Sequence, residues 1–264
     1  MKKKYIFSFL LLITILVISS IYFIKNYKEQ NDEENIFENL RNEIEETDEI
    51  GNYHSKDETT RMENKEFNNL KQVSCCSVNL KALKEQNSDL KGYIQIDDTN
   101  ISYPVMQNGT FYLYKNLNKN NSSLGTPFLA SYCDIEKDKN LIIYGHNMKS
   151  GKMFSDLVKY KNYNFYQNHK IIKFYTLKND VTIKSEYEIV FVFKTAINDE
   201  NFKYYNYYKL NEESEYIEFI ENCKSIELYN TGIKTNFNDR FITLSTCEYS
   251  QTNGRMVVVA RKNS

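Results

Sequence analysis

The stretch from Tyr5 to Ile24 constrains this chain more than any other part of it. It is apolar apart from Ser8, Thr14, Ser19 and Ser20, and its twenty residues make a helix of about 30 Å at a rise of ~1.5 Å each, the thickness of a hydrocarbon core. It predicts a transmembrane anchor, so a folded domain has to be sought beyond it. Lys2, Lys3 and Lys4 precede it. The positive-inside rule then puts the N-terminus in the cytoplasm and the rest outside, although Lys25 and Lys28 follow the span. A cleaved signal peptide would have a shorter apolar run and a small-residue cleavage site, and no A-x-A-like site follows this one. The expectation is a single-pass protein of the cell membrane with an extracellular domain.

Beyond the anchor the chain turns polar and acidic, with Glu33-Glu34, Glu45-Glu46 and Asp48-Glu49. Ile36, Phe37, Leu40 and Ile44 have near-helical spacing, which fits a stalk helix as well as plain disorder. The expected organisation is a cytoplasmic tip and anchor over 1–28, a stalk over 29–76 and one folded domain over 77–264. A net charge of -1 over 264 residues gives no support to a nucleic-acid-binding role, which would usually show a basic patch, so nucleic acid is not an expected partner.

From about residue 77 the pattern is that of a mostly β domain. Ser77 is placed to cap a short helix carrying Leu80, Leu83 and Leu90. Tyr93–Ile96 and Ile101–Val105 flank Asp97-Asp98-Thr99-Asn100 and read as a hairpin. Further strands are predicted at 126–132, 140–144, 170–177, 186–194, 240–246 and 255–261, with Val257–Ala260 apolar throughout, as in a strand buried on both faces. Two helices interrupt them, one at 152–159 and one at 212–224, where Tyr216, Ile217, Ile220 and Cys223 share a face. Many short strands with few helices point to a closed or nearly closed barrel.

The five cysteines are Cys75, Cys76, Cys133, Cys223 and Cys247. None belongs to a CxxC pair or a Cys/His cluster with zinc spacing, so no metal site is predicted. Cys223 reads as a small core residue and the Cys75-Cys76 pair as incidental. Cys247 ends the run Thr243-Leu244-Ser245-Thr246-Cys247, and Arg255 opens the next strand. If the two strands pair as a hairpin, Arg255 stands beside Cys247, where it favours a thiolate and donates to a developing oxyanion. Glu248 reads as a solvated loop residue. Among the three histidines, His146 follows an apolar strand and Gly145, a residue that permits a sharp turn exposing the next side chain. An imidazole is the natural proton donor for a leaving amine. His54 and His169 read as exposed bystanders.

These segments together resemble the sortase family. Thr243–Cys247 followed by Arg255 is similar to its TLxTC signature and catalytic arginine. Tyr144-Gly145-His146-Asn147-Met148-Lys149-Ser150-Gly151-Lys152-Met153-Phe154 resembles the segment around the catalytic histidine of class B. Gly92–Ile96 with Tyr103-Pro104-Val105 is similar to the early hairpin of that class, and the helix before the Cys strand to its insertion. The resemblance spans about residues 77–261. It implies an eight-stranded β-barrel with a few short helices. It implies Cys247 as nucleophile, His146 as general acid and then base, Arg255 as oxyanion and substrate clamp, and Ser245 and Thr246 as shapers of the substrate groove. The implied reaction is transpeptidation without cofactor or metal. A sorting signal of the Asn-Pro-x-Thr type, near the C-terminus of a secreted protein, is cleaved after Thr. The acyl group passes through a thioester to an amine of a peptidoglycan precursor or cross-bridge. A membrane-anchored cysteine hydrolase using water, and a pilus-assembling sortase using a protein lysine, would present the same triad.

Overall fold

Eight strands follow from the alternation of β-branched and aromatic residues after Leu90. They are β1 (Leu90–Gln95), β2 (Ser102–Met106), β3 (Phe128–Leu129), β4 (Asn140–Tyr144), β5 (Ile171–Lys178), β6 (Val181–Ala196), β7 (Phe241–Cys247) and β8 (Gly254–Lys262). The computed structural model describes residues 2–54 and 79–263. Cys75, Cys76, Ser77 and the later part of the expected stalk lie outside the described residues.

The strands close into a barrel in the order β1-β2-β3-β4-β7-β8-β6-β5. Closure leaves no sheet edge and encloses a core from Ile94 and Val105 to Phe193 and Leu244. Val257, Val258, Val259 and Ala260 are all fully buried, as their unbroken apolar run predicts. The decisive pairing is β4 beside β7, which run parallel from Asn140↔Phe241 to Tyr144↔Ser245. Their C-terminal ends therefore open onto one rim. β8 runs antiparallel to β7 and starts at that rim.

Several boundaries differ from the sequence reading. β6 begins at Val181, five residues before the expected start at 186. Its first six residues pair with β5 and not with β8 and are exposed or half-buried, so they carry little apolar signal. The strand expected at 126–132 shrinks to Phe128–Leu129, because Thr126 and Ala130 bond to a loop and to β4. Leu90 opens β1, while the helix before it covers only Leu80–Gln86 (α2). Asn79 caps that helix, its side chain accepting from the Ala82 amide at 3.0 Å. A 3₁₀ turn over Ser155–Lys161 stands where a helix at 152–159 was expected, and a short helix over Tyr163–Asn168 (α3) had no clear signal.

The helix before β7 spans Glu213–Ile226 (α4). Its buried face is Tyr216, Phe219, Ile220 and Cys223, while Ile217 is 46% exposed. The apolar stripe thus follows i, i+3, i+4, i+7, and Ile217, one residue (~100°) round from Tyr216, points away from it.

The chain divides into two compact units, residues 1–39 and 40–264. At the N-terminus, Lys2–His54 is helical (α1). Its segment Phe7–Lys25 has a mean hydropathy of 2.5 and is the one span among the described residues long and apolar enough to cross a membrane.

Candidate active site

The β7–β8 hairpin sets the first pair of groups. Cys247 lies directly opposite Arg255 in the antiparallel register, so both side chains leave the same face with Cβ atoms about 5 Å apart. Thr195 of β6 lies opposite Arg255 on its other side. The Arg255 Nη1 donates to its neighbour's carbonyl, Gly254 O, at 2.9 Å. Gly254 closes the turn: a Cβ there would collide with the Glu248 carbonyl. The Glu248 amide donates to the Gly254 carbonyl at 2.9 Å.

Glu248 is not the solvated residue the sequence suggests. It is 4% exposed. Its carboxylate accepts from the Lys161 ammonium and the Ser250 hydroxyl, and from the Ser250 amide at 3.1 Å. Burial alone would push this carboxyl up, but the hydrogen bonds from Lys161 and Ser250 and the Lys161 charge hold it below the ordinary carboxylate range. The turn between Cys247 and Arg255 is thereby pinned to the 3₁₀ segment at Lys161.

The second wall is the end of β4. Tyr144 pairs with Ser245, and two residues further along each parallel strand come His146 and Cys247, at the same rim. Gly145 is required for packing rather than for a left-handed turn: it has no positive φ, and a Cβ would meet the Phe154 ring at 2.6 Å. The His146 Nε2 lies 2.8 Å from the Leu113 carbonyl. A carbonyl only accepts, so Nε2 carries a hydrogen and Nδ1 is the nitrogen left for proton exchange. Leu113 is held by Gly125, which at φ +61° packs against the Leu113 and Tyr112 carbonyls. The Tyr114 ring lies 5.9 Å from the imidazole.

Ser245 and Thr246 are each 1% exposed. Their hydroxyls already have partners in the chain. Ser245 shares a 2.7 Å hydrogen bond with the Tyr204 hydroxyl, and Thr246 donates to the Gly145 carbonyl at 2.8 Å. Two further side chains stitch the walls together. Asn147 Nδ2 donates to the Cys247 carbonyl at 2.8 Å, and the Tyr249 hydroxyl donates to the Asn147 carbonyl at 3.1 Å. Sequence reasoning gave no role to Asn147, Leu113, Tyr204 or Lys161. Asn147 and Lys161 sit close to the His146 motif and were within reach. Leu113 acts through its backbone, which leaves no side-chain signature.

Of the three described cysteines, Cys133 and Cys223 are buried and Cys247 is half-buried. Burial pushes the Cys133 thiol up to about 11 and the Cys223 thiol well above its ordinary value. Both are inert core thiols. His169, expected as a bystander, stacks on Phe165 at 4.0 Å and bonds the Phe165 carbonyl through Nδ1 at 2.7 Å. It closes α3.

A half-exposed cysteine thus faces an arginine, with a histidine just beyond the end of the adjoining parallel strand of a closed barrel, an arrangement suited to cysteine-based acyl chemistry. The family model for the sortase domain matches residues 94–263, and the chain belongs to the sortase family. Sortase B of Listeria monocytogenes is 34% identical over 185 residues, covering 68% of this chain and 72% of the relative. The crystal structure of Clostridium perfringens sortase B is similar at a TM-score of 0.64 and 34% identity, over 70% of this chain and 100% of that one. A Staphylococcus aureus sortase B–substrate complex is similar at a TM-score of 0.69 and 25% identity, over 90% of this chain and 99% of that one. The chain is thus a sortase-type cysteine transpeptidase of class B.

Proposed function

We propose that this sortase cleaves a C-terminal sorting signal of the Asn-Pro-x-Thr type after Thr and joins the acyl group to a peptidoglycan amine. The observation that carries this reading is the register of Cys247 against Arg255, with His146 at the same end of the neighbouring strand. The Cys247 thiolate adds to the carbonyl carbon of Thr, and the Arg255 guanidinium receives the developing oxyanion. The C–N bond breaks as His146 gives its proton to the leaving amine, which leaves a thioester on Cys247. A peptidoglycan amine then attacks, His146 takes its proton, and the C–S bond breaks to restore the thiolate. The hydrogen bond from Nε2 to Leu113 fixes the ring so that Nδ1 handles the proton in both steps.

In this reading Ser245 and Thr246 shape the groove from beneath, through Tyr204 and Gly145. The anchor holds residues 77–264 outside the cell as the catalytic domain, with the N-terminus in the cytoplasm. The preference for Asn over Leu at the first position rests on a subsite that hydrogen-bonds a polar side chain, since an apolar replacement leaves buried polar groups unpaired. Two quenched fluorescent peptides differing at that residue test it. The polar-first peptide is expected to react about tenfold faster in kcat/KM, roughly 1.4 kcal/mol. Equal rates, or faster cleavage of the Leu peptide, would overturn the signal assignment. Ligated product in the presence of an amine acceptor separates transfer from hydrolysis.

A further inference from the structure

The barrel has a second concavity at its opposite rim. β7 runs from that rim to Cys247, and seven residues of strand span about 20 Å. At the far end lies a cavity of about 330 Å³ bounded by α2, β1, the β5–β6 hairpin and the residues just before β4 and β7. Its apolar wall includes Leu80, Leu90, Leu141 and Phe174. Its charged lining is Lys84, Lys91, Lys178, Arg240 and Lys262 against a single carboxylate, Glu136.

The cations of this lining outnumber the carboxylates that face them. The acids that flank the lining in sequence are engaged elsewhere: Asp89 with Lys119 at 3.2 Å, Asp180 with Lys81 at 3.1 Å and Glu186 with Lys184 at 3.4 Å. Among the described residues, Lys91, Lys178 and Lys262 meet no carboxylate within ion-pair distance. The Lys84 ammonium donates to the Ser88 and Leu90 carbonyls at 2.6 Å each. Arg240 Nη2 donates to the Ile135 and Asp138 carbonyls at 3.0 Å each and to the Glu136 carbonyl at 3.3 Å. Those bonds orient the two cations without neutralising them. Burial, with the Lys91 charge adding to it and the Asp89 charge opposing it, holds Lys84 below the ordinary lysine range. The chain as a whole carries a net charge of -1, so its overall balance does not account for this concentration. Like charges held around one concavity repel, and a bound anion relieves that repulsion.

We propose that this cavity binds a phosphate ester, with the phosphate on the cations of its lining and its organic part against the apolar wall. Several ammonium groups beside a guanidinium charge suit the oxygens of a phosphate. The volume matches a glycerol-sized body rather than a polymer segment, at the small end of ligand pockets, about 300–1,000 Å³. The same chemistry is offered by a free phosphate ester and by an anionic lipid headgroup.

The test uses the full chain in neutral detergent micelles and follows binding by calorimetry. The probes are glycerol 3-phosphate, short-chain phosphatidylglycerol and short-chain phosphatidylcholine. Both anionic probes are expected to bind saturably and the zwitterionic one at least tenfold more weakly. In a Lys91→Gln/Lys178→Gln/Lys262→Gln variant both anionic affinities should fall at least tenfold while peptide cleavage stays within twofold. Phosphatidylglycerol binding more than tenfold tighter than glycerol 3-phosphate assigns the site to a lipid headgroup, and equal binding assigns it to the free ester. No saturable binding of either anionic probe, equal binding of the zwitterionic one, or unchanged affinities in the triple variant would overturn the proposal. These lysines are half-buried or exposed. An unchanged melting temperature and cleavage rate confirm that the variant is folded.

Discussion

The two walls of the proposed active site are built by different means. Cys247 and Arg255 stand on one hairpin, brought face to face by pairing between strands separated by a short turn. His146 stands on a strand that meets β7 only through the closed barrel, and a backbone carbonyl from an unrelated loop fixes its ring. The first wall is a local structure and the second a tertiary one. Damage to the loops around Leu113 should therefore disable the histidine while leaving the cysteine–arginine pair in place.

The largest expected effect tests the hairpin itself. Cys247→Ala should lower peptide cleavage by at least about 10⁴-fold and abolish thioacyl trapping, since Cys133 and Cys223 are buried with raised thiols. Trapping on either buried cysteine would break the distinction between reactive and inert thiols. Arg255→Lys keeps the charge but loses the planar fork, so a fall of about 10²–10³-fold in kcat/KM is expected. Near-normal turnover would reduce Arg255 to a point charge.

The comparison is sharpened by a change on the other wall. Gly125→Ala places a Cβ against two carbonyls at positive φ, which should cost about 1–3 kcal/mol of stability. It should also displace the Leu113 carbonyl and lower kcat by roughly tenfold, a modest share of what a positioned acid–base contributes. Alkylation of Cys247 by iodoacetamide should stay within about twofold of the parent, if the hairpin is as self-contained as its register implies. Alkylation slowed in step with kcat would show the two walls to be one unit.

The smallest effect concerns Glu248. Its folded carboxyl lies below the ordinary range, so it contributes stability that is fully present above its unfolded value of about 4.3 and lost as pH falls through the folded value. Melting temperatures measured between pH 6 and pH 3 should therefore fall more steeply for the parent than for Glu248→Gln. The divergence should be roughly 3 °C, about 1 kcal/mol. Parallel curves would mean that the Lys161 contact does not stabilise the turn.

Glu248 and Ile217 show where local reading stops. Both were placed by neighbours in the chain: a charge after a strand end, and an apolar residue beside a helical stripe. The buried position of Glu248 depends on Lys161, which lies 87 residues away in sequence. The exposure of Ile217 depends on which face of α4 meets Phe241 and the core. Gly145 was singled out for the wrong property, because the Phe154 ring that needs the space is invisible until the loop closes over it.

By itself the sequence determined the apolar span, the strand-rich domain, the inert place of Cys223 and the hairpin that sets Cys247 opposite Arg255. Each of these rests on periodicity or pairing between neighbouring segments, and a local pattern encodes them. Only the tertiary structure decided that β4 lies parallel to β7, that Leu113 holds the His146 ring, that Asn147 bonds a carbonyl one hundred residues away, and that five cations surround one cavity at the far rim. Parallel strands need a long crossover, and a backbone carbonyl looks the same at every residue, so neither leaves a mark in any window of sequence.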